Sequence, residues 1–164
     1  MTIIEAFQHE LEGEAINTRK MFAQIPEDKW DWQPHQKSMS LKRLANHIAE
    51  LPAWIGMVLF QDELDFATSP YQPTTYSNTP DLMDYFEKTL QLGKMDLEKA
   101  DLAEMNNNWT LRDGETVFTQ STKYEMLRMT FSQIIHHRAQ LGVYLRLLDI
   151  PIPGSYGPSA DEEG

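Results

Sequence analysis

An all-α four-helix bundle with a small β-hairpin between helices 3 and 4 is the fold this sequence predicts. Three observations carry the prediction. Four stretches repeat apolar residues at steps of three and four, the period of an amphipathic helix. A long, polar, proline-containing connection between the second and third of them permits those helices to run parallel, which a short loop would forbid. Between the third and fourth, Asp113-Gly114 is a turn signal flanked by β-forming residues.

The elements follow in order. Thr2 and Glu5 form a T-x-x-E capping box, after which Ile4, Phe7, Leu11, Ala15, Thr18, Phe22 and Ile25 recur at helical spacing, so the first helix is expected to end before Pro26. The link PEDKWDWQPHQKSMS is too apolar for a free linker, and Trp30, Trp32 and Pro34 are expected to cover one end of the bundle. Ser40 caps the second helix, whose seam is Leu41, Leu44, Ile48, Leu51, Ile55 and Val58. Pro52 falls inside this pattern, and its missing N–H releases the carbonyl of Ile48, which predicts a kink near His47.

From Gln61 to Asn78 the chain is polar, contains Pro70 and Pro73, and has no helical period, so it reads as an irregular crossover. Thr79 as N-cap with Pro80 at the first helical position opens the third helix, with Leu82, Phe86, Leu90, Gly93, Leu97 and Ala100 as its seam. Asp113-Gly114 suits a type I′ turn, and a lone hairpin is only marginally stable, so this one should pack on the bundle. Thr122 and Glu125 repeat the capping box and open the fourth helix, which runs through YEMLRMTFSQIIHHRAQLGVYLRLLD. Residues 1–150 thus read as one bundle domain, and residues 151–164 as a tail too rich in Pro and Gly for a helix.

Composition excludes several function classes. A chain of 164 residues can bury roughly 70% of its unfolded surface and needs no staple. It has no cysteine, which removes disulfides, thiolate metal sites and a cysteine nucleophile. A net charge of -11 argues against nucleic-acid and anionic-membrane partners, both of which require clustered Lys and Arg. The first residues carry acids where a secretory signal would be basic and then apolar, so the expected location is cytoplasmic. Walker, Gly-rich dinucleotide and G-x-S-x-G motifs do not occur, nor do the paired E-x-x-H motifs of a carboxylate di-iron bundle.

The candidate site is on the fourth helix. His137 falls on its apolar seam, and Gln133 lies one turn earlier on the same face. His47 and Glu50 flank the seam of the second helix. Two bundle helices that turn imidazole and amide groups inward can surround a divalent metal and leave the remaining positions to water. The same spacing also fits a buried, hydrogen-bonded His137 with Gln133 as a flank residue. Glu50 suits a base, a ligand or an acceptor that orients His47, or a solvated flank glutamate. His136 projects about 100° away from His137, so it is expected to pack against a neighbouring helix or donate a hydrogen bond. Arg138 and Gln140 are expected to be structural or to orient neighbours, and His9 and His35 have no spacing partners.

Taken together, PEDKWDWQPHQKSMSLKRLANHIAEL, QIIHHRAQLGVYLRLLDIPIP and YGPSADE resemble the DinB-like metal-binding proteins, the DinB/YfiT superfamily, over nearly the whole chain. The resemblance implies a bundle in up-down-down-up order, a homodimer, and a divalent metal, zinc or nickel. It implies His47 and His137 as ligands, and it puts Gln133 where the family's N-H-x-x-H-H-R pattern has a histidine. An amide oxygen is a weaker ligand than imidazole for these ions, so affinity should fall or preference shift toward oxygen-tolerant metals. The implied activity is that of a metal-dependent thiol S-transferase or hydrolase, with a low-molecular-weight thiol such as bacillithiol or mycothiol as co-substrate. A thiol or water would take the fourth position, and Glu50 would be the base or an orienting group. The alternative is a non-catalytic small-molecule-binding or stress-response dimer in which Gln133 weakens metal ligation.

Overall fold

A computed structural model of the chain describes residues 1–69 and 72–162. The chain is mostly helical, with a small three-stranded sheet. Helix α1 spans Ile3–Phe22, α2 Leu41–Glu50, α3 Trp54–Phe60, α4 Thr79–Glu98 and α5 Lys123–Leu147. A 3-10 turn, Leu51–Ala53, joins α2 to α3, so the five segments make four helices. Strand β1 is Glu63–Asp65, β2 Asn108–Asp113 and β3 Thr116–Thr122. α1 packs on α4 and α5, and α2 packs on the same two helices.

The helix starts follow the local chemistry. Thr2 and Thr122 each accept from the backbone N–H three residues on, and Glu5 and Glu125 reach back to the cap, completing both capping boxes. Ser40 caps α2 through the Arg43 N–H. The third start differs from expectation by one residue: Asn78 is the N-cap of α4, accepting from Asp81, while the Thr79 N–H donates to Glu27 Oε1 at 3.0 Å. An amide side chain at position 78 satisfies the free N–H groups better than the threonine beside it. Helix α1 also stops earlier than its apolar pattern, at Phe22; Ile25 lies beyond the helix and is still buried.

Pro52 breaks the second helix as expected, and α4 is fitted to the break. A Cβ on Gly93 would stand 2.6 Å from the Pro52 carbonyl oxygen, so only glycine permits this approach. Beside it, the Thr89 hydroxyl donates to the Ala49 carbonyl at 2.5 Å, satisfying a group next to the interrupted ladder.

The core joins all four helices: Phe7, Leu11 and Phe22 from α1, Leu44 and Ile48 from α2, Phe86 and Leu90 from α4, and Phe131 and Leu141 from α5. Phe22 and Phe86 meet edge to face at 5.5 Å. In the link after α1, Trp30 is buried and Trp32 meets Tyr144 edge to face at 5.6 Å, whereas Pro34 is exposed and covers nothing.

Two sheet features depart from the sequence reading. Residues Glu63–Asp65, inside the expected irregular crossover, pair in parallel with β2; three residues are too few to show a period. The turn between β2 and β3 is centred on Gly114 and Glu115, and only Gly114 has positive φ, at 57°. A type I′ turn needs positive φ at both central residues, so this turn is of another type, with glycine at its first central position. Trp109 fastens the sheet to the bundle from a fully buried position. Lys123, also buried, donates to the Leu59 carbonyl at 2.9 Å and pairs with Glu104 at 3.2 Å, which ties α3 to the start of α5. Among the described residues, no helix is long and apolar enough to cross a membrane.

Candidate metal centre

His47 occupies the last turn of α2, immediately before the proline break. Its Nδ1 lies 2.5 Å from Glu50 Oε1, and the Glu50 side chain is buried. His137 is buried on α5, with Nδ1 2.7 Å from Gln140 Oε1. The two rings approach to 4.7 Å between centroids at an interplanar angle of 72°. Both helices therefore use one device, histidine followed three residues later by an oxygen acceptor, in HIAE and HRAQ. With the carboxylate and the amide oxygen as acceptors, Nδ1 is the donor of each pair, the tautomer in which Nε2 is the ring nitrogen open to a ligand. Burial holds the His137 pKa below the usual histidine value; the Gln140 contact opposes this, and the nearby His47 and His136 reinforce it. The ring is thus held in the neutral form that a metal requires.

Gln133 is half-buried one turn before His137, and its side chain forms no hydrogen bond among the described residues. His136 is exposed, with its ring 5.0 Å from that of His137, and it donates no hydrogen bond among the described residues, so the expectation that it packs on a helix or donates one is not met. His9 and His35 are exposed on other parts of the chain. Among the described residues, no three of histidine, aspartate and glutamate converge as a metal-holding group. The structure brings the imidazoles of His47 and His137 together, and Gln133 stands one turn before the second of them on α5.

Arg138 turns the other way. Its guanidinium is buried against Glu14, with Nη1 and Oε2 2.5 Å apart, and it donates to the Tyr156 hydroxyl at 2.7 Å. It belongs to the scaffold.

His47 lies on the wall of two cavities. One, of about 380 Å³, is lined by Met39, Lys42, Arg43, Asn46, Pro73 and Thr75 as well as His47. The other, of about 280 Å³, is lined by Trp54, Met57, Leu64, Phe66 and Ser69 together with His47. Asn46 holds the crossover over the first: it donates to the Tyr76 carbonyl and accepts from the Tyr76 N–H, at 2.9 and 2.8 Å. Sequence reasoning missed Trp54, whose ring lies 5.8 Å from His47, and the wall that β1 supplies. A tryptophan in an apolar helical run looks like core, and three strand residues leave no pattern. Gln140 was legible, because it stands to His137 as Glu50 stands to His47.

The comparisons agree with this architecture. The structure is similar to a DinB-like protein from Bacillus subtilis, with a TM-score of 0.68 at 19% identity, covering 93% of this chain and 99% of that one. A DinB-like protein from Bacillus cereus gives 0.68 at 18% identity, covering 93% and 97%. A structure described as a putative member of the DinB family, from Exiguobacterium sibiricum, gives 0.66 at 20% identity and covers 98% of each chain. At these identities the likeness establishes the fold alone. No curated protein matches the sequence. The sequence model of the DinB family matches residues 3–163, nearly the whole chain, and the protein therefore belongs to the DinB family.

Proposed function

We propose that the chain binds a divalent metal ion, zinc or nickel, between α2 and α5, with His47, Gln133 and His137 as its protein ligands. The supporting observation is the pairing of both Nδ1 atoms, with Glu50 Oε1 and Gln140 Oε1, which leaves Nε2 of each ring as the nitrogen available to a ligand. Metal-ligating histidines characteristically donate their other ring N–H in this way. The remaining coordination positions suit water or a low-molecular-weight thiol.

The reaction this favours is thiol S-transfer, with hydrolysis as the variant in which water takes the thiol's place. The bound ion would supply one thing, a lowered pKa for the thiol or water beside it. The chain's own residues do the rest. Glu50 orients the ring of His47, Gln140 does the same for His137, and Asn46 braces the crossover through Tyr76. Glu50 is buried and within reach of the site, so it is also the candidate base. The proposed assembly is an up-down-down-up bundle that forms a homodimer.

The decisive experiment is elemental analysis of protein purified without a metal-affinity tag, beside His47→Ala and His137→Ala. Zinc or nickel near one equivalent in the wild type and loss in both variants is the expected outcome. A metal-free wild type that rebinds these ions no more tightly than the variants would sink the proposal.

A second reading is a non-catalytic small-molecule-binding or stress-response dimer with weakened metal ligation. It is favoured by the amide at position 133 and by the lack of a three-member histidine and carboxylate group among the described residues. Under it, metal content is low and Gln133→His raises it sharply.

A further inference from the structure

We propose that the trough along α2 and α3 is a two-part site for a small organic anion with an apolar body. The anionic group is held at Lys42 and Arg43, and the apolar part lies among Trp54, Met57, Leu64 and Phe66, with His47 between them. The inference deepens the metal-site reading by naming a ligand class, and it rests on that reading only for the chemistry at His47.

The two cavities share His47 and differ in character. The larger presents Lys42, Arg43 and the Asn46 amide; the smaller is walled by two aromatic rings, a thioether and a leucine, with Ser69 as its polar member. Volumes of about 380 and 280 Å³ suit a small ligand divided between two lobes. Such a pairing selects for a molecule with one charged end and one apolar end.

Charge gives the sign. A chain with net charge -11 repels anions over most of its surface, so adjacent cationic residues at a cavity mouth are a local exception. Lys42 pairs with the exposed Asp31 at 3.0 Å, but Arg43 has no acidic partner among the described residues. An unneutralised guanidinium is a fork-shaped donor set matched to a carboxylate or phosphate.

The site is also preformed. The double hydrogen bond between Asn46 and Tyr76 fixes the crossover over the cationic lobe, and pairing of β1 with β2 holds Leu64 in the wall of the apolar lobe. Arg43 lies one helical turn before His47, a rise of about 6 Å. The ring centroids of Trp54 and His47 are 5.8 Å apart. A ligand with an aryl or alkyl group a few bonds from its carboxylate spans this distance and passes His47 at its middle.

Three probes test the idea by calorimetry on the full chain, each with chelator-treated and with zinc-loaded protein: 4-phenylbutyrate, the uncharged 4-phenylbutanol, and butyrate. The acid should bind at one site at least tenfold more tightly than the alcohol and than butyrate. The double variant Lys42→Gln/Arg43→Gln should abolish its advantage over the alcohol, and Met57→Glu should weaken both phenyl probes. Phe66→Gln repeats the apolar test should Met57→Glu not fold. Equal binding of acid and alcohol, a preference that survives the double variant, or no saturable binding in the millimolar range overturns the proposal.

The chelator-treated arm separates this inference from the metal reading. Charge preference there, with zinc affinity unchanged in His47→Ala and His137→Ala, removes the metal site and leaves the anion site. Zinc affinity lost in those variants, with acid and alcohol bound equally, does the reverse.

Discussion

His137 and Arg138 are neighbours on α5, yet they lead into polar clusters of opposite kinds. The Arg138 cluster is closed: Glu14 neutralises the guanidinium, Thr18 and the Glu14 carbonyl accept from it, and the Tyr156 hydroxyl bridges Glu14 and Arg138, donating to one and accepting from the other. The His137 cluster is open. Gln140 and Glu50 each take up one nitrogen of a ring, the other nitrogen of each has no hydrogen-bond partner among the described residues, and His47 borders a cavity. A step of one residue rotates the side chain about 100°, which sends one group into the α1 interface and the other toward α2. A buried polar cluster satisfied within the chain holds a fold together, whereas one left half-satisfied invites a ligand.

The largest expected effect comes from breaking the closed cluster. Glu14→Ala leaves a buried, uncompensated guanidinium and should cost about 3–5 kcal/mol in urea unfolding, while adding Arg138→Met should recover most of the loss. A single-variant cost near zero would mean that this cluster is not closed. The open cluster should respond to ligand instead. Zinc at about 100 times its Kd should stabilise the wild type by about 2.7 kcal/mol, and it should do nothing for His47→Ala or His137→Ala in thermal unfolding.

Next in size is Tyr156→Phe, which removes the hydroxyl joining the tail to the closed cluster and should cost roughly 1–2 kcal/mol. The tyrosine ring is 70% exposed, so little packing is lost and the measured value reports the hydrogen bonds. Gln133→His should tighten zinc binding at least tenfold, about 1.4 kcal/mol, as read by competition with a chromophoric chelator. An unchanged affinity would place Gln133 outside the metal's reach.

The smallest effect is a pH dependence. Burial lowers the His137 pKa in the folded chain, so below about pH 6.5 the unfolded chain binds the extra proton. Stability of the metal-free protein should hold above that pH and fall as pH drops toward the folded-state value. His137→Gln should flatten that slope, and an unaltered slope would assign it to other groups.

Much of the fold could be read from particular residues. Capping boxes at Thr2 and Thr122 and the cap at Ser40 are local hydrogen-bond patterns, and each starts a helix where it stands. Pro52 marks its own break because a missing N–H is a property of one residue. The inward place of His137 was legible from the seam rule, whereas spacing put His47 only on the flank of its seam and the resemblance joined the two. The neighbour at 136 was read less well, since a face turned away from His47 need not meet a helix, and His136 is exposed. The start of α4 at Asn78 and the turn at Gly114 were each displaced by one residue, because adjacent residues compete for such positions on small energy differences.

By itself, then, the sequence determined the helices, their buried faces and the residues that could form a site, because helix periodicity, capping and proline chemistry act over a few residues. Only the tertiary structure decided that β1 would line a cavity, that Trp54 would face His47, that Gly93 would admit the Pro52 carbonyl, and that Arg138 would close on Glu14 and Tyr156. These contacts join residues from 7 to 124 positions apart in the chain, and no local pattern encodes a meeting that depends on how whole helices pack.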